Sequence, residues 1–177
     1  MMQTDRLILR EYTQADFETA LEIFSDEEMM QHYPKPFDAA RVQRWIDWNQ
    51  NNYQQHGFGL WVVVLKETGE MIGDCGITLQ NIDGQMLPEI GYHIRKEHWR
   101  KGYGKEAAAA VRDWAFTQTK YDRMYSYMKY TNLASSATAQ AIGMTKVKEY
   151  ADDVNGISFV YAMTKDQWNE MKKSQVI

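Results

Sequence analysis

The chain has little cysteine and little proline, and it has no long apolar run. Its single cysteine, Cys75, excludes an internal disulfide and a zinc site built from several cysteines. No apolar stretch approaches the ~20 residues that a membrane-spanning helix requires. The first residues, MMQTDRLILREY, carry charges where a signal peptide has its apolar region. These absences predict a cytoplasmic protein that does not bind membranes.

An excess of positive charge is also missing. The 20 Lys and Arg residues are outnumbered by 24 Asp and Glu residues, which argues against a nucleic-acid partner. The four histidines have no metal-ligand spacing, so we predict no metal. No repeat or low-complexity linker interrupts the 177 residues, and 44% of them are hydrophobic. We therefore expect one globular domain over residues 1–177.

The residue pattern predicts an α/β (α+β) domain, a mixed and mostly antiparallel sheet of six to seven strands flanked by helices. The predicted order is β-α-α-β-β-β-α-β-α-β-β. Thr13 with Asp16 predicts the cap of the first helix, and Asp38 and Gly57 bound the second. The C-terminal segment KDQWNEMKKSQVI predicts the end of a strand and a short amphipathic helix. Three residue pairs mark turns: Thr68-Gly69, Asp83-Gly84 and Asn155-Gly156.

The stretch HWRKGYGKEAAAAV, residues 98–111, places two glycines directly before a predicted helix. The unpaired N–H groups of a helix start favour an anion, and glycine lets a ligand approach the backbone. Residues 95–105 hold five basic residues and one acid, Glu97. These features predict a phosphate site, although a basic surface turn is the alternative. The stretch matches neither the P-loop nor the Rossmann pattern.

Several spaced motifs resemble the GNAT superfamily of acetyl-CoA-dependent N-acetyltransferases. WRKGYG, residues 99–104, is similar to the pyrophosphate loop of that family, with Trp99 at a position where Gln or Arg is usual. The tryptophan is typical of the branch that acetylates ribosomal-protein N-termini. Three further segments match in the right order: TDRLILREYTQAD, EIGYHI (89–94) and NLASSATAQAIGM (132–144). The resemblance covers essentially the whole chain.

The resemblance implies acetyl-CoA as cosubstrate. It implies that pantetheine pairs with the backbone near Tyr92 and Ile94, and that Asn132 contacts it from a later helix. A strand bulge at Gly91 would open the cleft, and a backbone N–H of Tyr92 or His93 would stabilise the oxyanion. The pyrophosphate would be held by the backbone amides of Lys101, Gly102, Tyr103, Gly104 and Lys105.

The resemblance also suggests catalytic groups. Glu89 is the predicted base, with three other carboxylates left open: Glu149, Asp152 and Asp153. Substrate orientation without a dedicated base is a further possibility. The tyrosine that many relatives use as the acid is replaced by Ala139, so the prediction falls on Ser135. Cys75 is expected to be a small buried side chain, and His93 a partly exposed strand residue rather than a proton relay.

In this family the first two helices wall the acceptor pocket, which makes His32, Phe37 and Trp45 predicted acceptor contacts. The predicted activity is direct transfer of an acetyl group to a protein N-terminus or a small-molecule amine. Two alternatives stay open: a non-catalytic coenzyme-A-binding module, and a generic nucleotide- or phosphate-binding domain. The protein is expected to be a monomer or a homodimer.

Overall fold

A computed structural model describes residues 1–174, and its centre is a single open sheet of eight strands. The C-terminal residues 175–177, part of the segment predicted to be helical, lie outside the described residues. The spatial order is β1-β2-β3-β4-β5-β6-β8-β7. The strands are β1 (Met2–Gln3), β2 (Leu7–Arg10), β3 (Leu60–Leu65), β4 (Met71–Ile82), β5 (Gln85–Ile94), β6 (Arg123–Lys129), β7 (Thr145–Asp152) and β8 (Gly156–Thr164).

Five helices flank the sheet. They are α1 (Phe17–Phe24), α2 (Ala39–His56), α3 (Tyr103–Gln118), α4 (Leu133–Ala141) and α5 (Lys165–Ser174). Short 3₁₀ turns at Gln14–Asp16 and Lys96–His98 precede α1 and α3. The predicted order is confirmed, with one strand more than expected: β1 pairs through two residues, too few to show an alternating pattern. Within residues 1–174, no helix combines the length and apolarity needed to cross a membrane.

Local signals in the sequence set the helix ends. The Asp16 carboxylate accepts the Thr13 backbone N–H at 2.8 Å, which forms the predicted capping pair. Asp38 Oδ1 accepts the N–H of Arg41 at 2.8 Å at the start of α2. Gly57 ends that helix in the left-handed region, with φ 75°. All three predicted caps are confirmed.

The β4–β5 hairpin positions the site. Its turn residues, Asp83 and Gly84, both have positive φ, which the twist of a two-residue hairpin favours. Register between these strands is unbroken from the turn to the Gly73–Ile94 pair, and Gly91 lies opposite Gly76. The predicted bulge at Gly91 is therefore wrong. Among the described residues, β5 pairs with the parallel β6 through Glu89 and Tyr125 alone, and this divergence opens the cleft.

Apolar side chains fill both sides of the sheet. On one side α3 packs through small residues such as Ala107 and Ala108, which let the helix approach the strands closely. Cys75 lies in the same cluster and is fully buried, as predicted. On the other side α1 and α2 pack around Phe24 and Ile46. The sheet is therefore covered by apolar packing on both faces.

Candidate active site

A cleft of about 1170 Å³ opens where β5 diverges from β6. Its walls come from β5, the start of α3, the start of α4, the turn between β7 and β8, and the loop between α1 and α2. Most of the residues predicted to act lie on it. The predicted residues that line it are His32, Trp45, Glu89, Tyr92, Ile94, Gly102, Tyr103, Gly104, Lys105, Asn132 and Ser135.

The glycine-containing loop forms the start of α3. Gly102 is the N-cap residue with φ 82°, and Arg100 also has positive φ. No side chain among the described residues caps the helix at Gly102, so its first N–H groups face the cleft without that partner. A Cβ on Gly104 would lie 3.6 Å from Ile94 Cγ1, which shows how closely the loop backbone approaches β5. This arrangement suits an anionic ligand.

Two of the predicted binding residues lie elsewhere. Lys101 is not on the cleft lining, and its carbonyl oxygen accepts a hydrogen bond from Arg6 Nη1 at 3.0 Å. Phe37 is 2% exposed and also lies off the lining. Its ring packs against Phe24 at 5.4 Å and lies beneath the Arg41 guanidinium. Phe37 is thus part of the core that supports the acceptor side rather than a cleft surface.

An anchor that the sequence did not predict fixes the start of α3. Glu106 accepts hydrogen bonds from Thr4 Oγ1 at 2.5 Å and from Arg6 Nε at 2.6 Å. Arg6 also lies 4.4 Å above the Tyr103 ring. These contacts keep the Glu106 carboxylate paired and hold the loop against the N-terminal strands. These contacts join residues about 100 positions apart, so no local pattern in the sequence predicts them.

Hydroxyl groups from two elements meet beside the α4 start. Asn132 caps α4 by accepting the Ser135 N–H at 3.1 Å. The Tyr92 hydroxyl donates to the Ser135 carbonyl at 3.1 Å and lies 3.1 Å from Ser135 Oγ. Burial raises the pKa of Tyr92 to about 12, so its hydroxyl keeps its proton at neutral pH. Sequence reasoning gave Tyr92 a backbone role and did not identify this side-chain contact.

Glu89 is a buried carboxylic acid on the cleft wall. Burial raises its pKa to about 7, while the Thr78 hydroxyl, which donates to Oε2 at 3.1 Å, and His93 act in the opposite direction. Gly91, two residues on, leaves room for this carboxylate, because a Cβ there would lie 3.0 Å from Glu89 Oε2. A carboxyl group with a pKa near neutrality can both accept and release a proton.

The other carboxylates considered for the base role have structural partners. Asp152 accepts the backbone N–H groups of Val154 and Asn155 at 2.8 and 2.9 Å, which fastens the turn between β7 and β8. Glu149 pairs with Lys146 at 2.6 Å on the exposed edge strand. Asp153 lies at the rim of the cleft. The geometry therefore favours Glu89 over Glu149 and Asp152.

A buried polar network forms the acceptor side. Asp74 is fully buried, and its Oδ2 accepts the Tyr12 hydroxyl at 2.8 Å and Trp45 Nε1 at 3.0 Å. Asp74 Oδ1 lies 2.7 Å from His93 Nδ1, and the other ring nitrogen of His93 bonds to the Tyr33 hydroxyl. The His93 side chain lies on β5 and is 11% exposed, which agrees with the predicted partly exposed strand histidine. An aspartate inside the apolar run IGDCGI was the available signal for a buried, paired charge.

The remaining predicted acceptor residues line the cleft. His32 lies on the loop between α1 and α2, and burial together with Lys129 lowers its pKa. Trp45 combines a cleft surface with its bond to Asp74. Across residues 1–174, no three His, Cys, Asp or Glu side chains are grouped to hold a metal ion.

A mixed sheet split between two parallel strands, beside an uncapped helix start, gives a cleft that suits an extended, phosphorylated ligand. Residues 6–145 match the model of the acetyltransferase (GNAT) domain family. The chain therefore belongs to the GNAT family and is an acetyl-CoA-dependent acetyltransferase, as its sequence motifs predicted.

Relatives agree with this assignment. The chain is 37% identical to the uncharacterized protein YkkB of Bacillus subtilis, over 80% of this chain and 83% of that one. It is 29% identical to the uncharacterized N-acetyltransferase YoaA of the same organism, over 82% of this chain and 83% of that one. A solved acetyltransferase from Agrobacterium tumefaciens superposes with a TM-score of 0.79 at 29% identity, covering 92% of each chain.

The ribosomal-protein branch is represented among the structural neighbours. The ribosomal-protein-S5-alanine acetyltransferase of Vibrio fischeri superposes with a TM-score of 0.76, covering 94% of this chain and 97% of that one. The two sequences are 17% identical, so this likeness concerns the fold.

Proposed function

We propose that this acetyltransferase acetylates a primary amine, either a protein N-terminus or a small-molecule amine, by direct attack on acetyl-CoA within a ternary complex. The observation that carries the proposal is Glu89, a buried carboxyl group with a pKa of about 7 where β5 and β6 part. An amine nucleophile must lose protons to a group of this kind.

Acetyl-CoA would be held by backbone groups. Beyond Glu89, β5 forms no ladder with β6 among the described residues, so its edge near Tyr92 and Ile94 is open to an extended pantetheine arm. The start of α3, from Gly102 to Lys105, offers N–H groups to the pyrophosphate, and the Lys101 amide precedes them. Asn132 lines the cleft at the start of α4 and would contact the pantetheine there. Every one of these elements borders the same cleft.

The proposed chemistry uses one base and one acid. The neutral amine attacks the thioester carbonyl carbon, and a backbone N–H of Tyr92 or His93 stabilises the developing oxyanion. Glu89 takes the proton that the attacking nitrogen releases. The C–S bond then breaks, and the thiolate accepts a proton from the Ser135 hydroxyl, which the neighbouring Tyr92 hydroxyl can replenish.

We propose two classes of acceptor, protein N-termini and small-molecule amines. Protein N-termini are included because a ribosomal-protein acetyltransferase shares the fold, and small-molecule amines because the cleft is open to solvent. Residues 1–177 would act as one acetyl-CoA-binding domain. A cytoplasmic location would fit the free, buried Cys75 and the supply of acetyl-CoA.

The test is a thiol-release assay with acetyl-CoA and a panel of amines. The panel holds peptides with free N-terminal Ala or Ser, the same peptides N-terminally blocked, a polyamine and an aminoglycoside. We expect release with one unblocked class and an acetyl mass increase on that acceptor. Glu89→Gln should lower kcat by about 100-fold or more. Glu149→Gln makes the same charge change on the exposed edge strand and should leave kcat unchanged. Binding of acetyl-CoA without turnover of any amine would instead support a non-catalytic coenzyme-A module.

A further inference from the structure

We propose that Tyr33, His93 and Asp74 form a proton relay that removes the first proton from the incoming ammonium group. The inference rests on the proposed function and adds a second proton-accepting group to the cleft. Tyr33 and His93 both line the cleft, as Glu89 does. The relay therefore lies where the acceptor must enter.

The reaction requires two deprotonations of the same nitrogen. An ammonium group with a pKa near ~10 has no lone pair, so it must lose one proton before it attacks. The nitrogen loses another proton after the new N–C bond forms. Glu89 holds one proton at a time, so a second acceptor lets both losses occur within one turnover.

Hydrogen bonding fixes the tautomer of His93. Asp74 is fully buried and accepts from the Tyr12 hydroxyl and Trp45 Nε1, so it is saturated with donors on Oδ2. Its other oxygen lies 2.7 Å from His93 Nδ1, which places a proton on Nδ1. The lone pair of Nε2 then accepts the Tyr33 hydroxyl hydrogen. The lone pairs of the Tyr33 oxygen remain available to the cleft.

The relay moves one proton along two hydrogen bonds. The Tyr33 oxygen accepts a proton from the ammonium group while its own hydroxyl proton passes to His93 Nε2. The products are a neutral amine, a neutral Tyr33 and an imidazolium whose charge Asp74 compensates. The proton later returns through Tyr33, which is 36% exposed, to solvent. Asp74 is a positioning residue, because it acts through His93.

The His93 imidazole lies between an apolar wall and the cleft hydroxyl of Tyr33. The rings of Phe24 and Trp45 lie 5.4 and 5.8 Å from the imidazole and form an apolar wall. The charged or titratable groups around it are Asp74 on β4, Tyr33 on the α1–α2 loop, Tyr12 behind Asp74, Arg41 on α2 over the Phe37 ring, and Glu89 on its own strand.

The test compares His93→Gln and Tyr33→Phe with the wild type across about pH 6.5 to 10, using the amine with the highest turnover in the panel above. Glutamine keeps hydrogen-bonding capacity but cannot carry the proton. We expect kcat/KM to fall about 10- to 100-fold near neutrality and to recover as pH approaches the pKa of the amine, where the amine is already neutral. His56→Gln, an exposed histidine outside the cleft, should match the wild type.

The two proposals fail in different ways. Glu89→Gln should stay impaired at high pH, because the second proton still has to leave. A loss in His93→Gln that is equal at every pH would show a structural role and overturn the relay. If the wild type turns over no amine, the proposed function fails and the relay fails with it.

A second measurement does not require an acceptor. In ¹⁵N-histidine NMR of the wild type, assigned with His93→Gln, the relay requires a neutral His93 with its proton on Nδ1 and a far-downfield Nδ1–H signal. A proton on Nε2 would overturn the relay whatever the acceptor.

Discussion

At the residue scale, Glu89 illustrates a conflict between stability and catalysis. The carboxyl group is buried with one hydroxyl donor, Thr78, so its charged form is poorly solvated. Its pKa of about 7 lies above the ordinary value of 4.5. The folded protein therefore binds more protons than the unfolded chain between these values. Stability from this group is fully present below about pH 4.5 and is lost as pH rises through 7.

Replacing Glu89 with Gln should remove that pH dependence. The shift corresponds to about 3 kcal/mol between acid and alkaline pH. We expect Glu89→Gln to gain free energy of unfolding relative to the wild type as pH rises from about 5 to about 8.5. Urea unfolding at both pH values measures this difference. A constant difference between the two proteins would mean that Glu89 titrates normally in the fold.

A single methyl group at Gly91 tests how tightly the Glu89 carboxylate is held. The Cβ of Gly91→Ala would lie 3.0 Å from Oε2 and 3.4 Å from Oε1, so the carboxylate must move. We expect kcat to fall about 10-fold with little change in the KM for acetyl-CoA, because the base is displaced and the α3 loop is not. Steady-state kinetics with the best acceptor measure both. An unchanged kcat would show that the role of Glu89 does not depend on this exact position of its carboxylate.

Residues also differ in how far the sequence could reveal them. Glu89 and Ser135 were predicted through a resemblance between motifs. Asp74 and the Tyr92 hydroxyl were missed, because their roles depend on partners on other strands and helices. A side chain's hydrogen-bond partner is a tertiary property, and no local spacing encodes it.

At the element scale, the start of α3 depends on a left-handed residue. Gly102 has φ 82°, which costs an alanine roughly 1 kcal/mol and an asparagine less. We expect Gly102→Ala to lower the melting temperature and to weaken acetyl-CoA binding, and Gly102→Asn to keep most of both. Calorimetric titration of each variant measures the affinity. Equal affinity for the alanine variant would show that the loop conformation is not needed for binding.

The α4 cap provides a second element-scale test. Asn132 accepts the Ser135 N–H, and loss of such a cap costs about 1 kcal/mol. Asn132→Ala should lower stability by that amount and displace Ser135, while Asn132→Asp keeps the cap. Thermal unfolding of the two variants compares the caps. If the aspartate variant is as unstable as the alanine variant, the cap does not account for the role of Asn132.

The elements that the sequence predicted correctly are those whose ends are set by residues close to them in the chain. Thr13, Asp38 and Gly57 set helix ends through contacts within a few residues, and Asp83-Gly84 sets a hairpin in the same way. The bulge expected at Gly91 came from the family resemblance rather than from the residues. The cleft opens instead because β5 and β6 separate after one pair, which is a relation between distant strands.

At the scale of the whole molecule, charge is distributed unevenly. The chain has a net charge of −4, but the segment around the α3 start is basic. Part of that positive charge is already paired: Lys96 contacts Asp26 at 2.7 Å and Glu28 at 3.3 Å. Lys105 instead lines the cleft at the first turn of α3. Lys96 and Lys105 should therefore contribute differently to the binding of a phosphorylated ligand.

A pair of lysine variants tests this distribution. Lys105→Ala should weaken coenzyme A binding about 3- to 10-fold at low salt and reduce its salt dependence, because a phosphate contact is lost. Lys96→Ala removes the same charge from a residue that is off the cleft lining and already paired with acids, and it should change the affinity little. Affinity measured at low and high salt separates them. Equal losses in both variants would show that only the net charge matters.

The central claim, that the loop from Gly102 to Lys105 holds acetyl-CoA, is tested most directly by a thermal-shift titration. Acetyl-CoA, coenzyme A, ATP and NAD are compared on the wild type and on Gly102→Glu with Gly104→Glu. A ligand that binds the folded protein raises its melting temperature. We predict that acetyl-CoA and coenzyme A stabilise the wild type far more than ATP or NAD, and that the double variant, folded by circular dichroism, loses this shift. Equal stabilisation of the folded double variant would contradict the account.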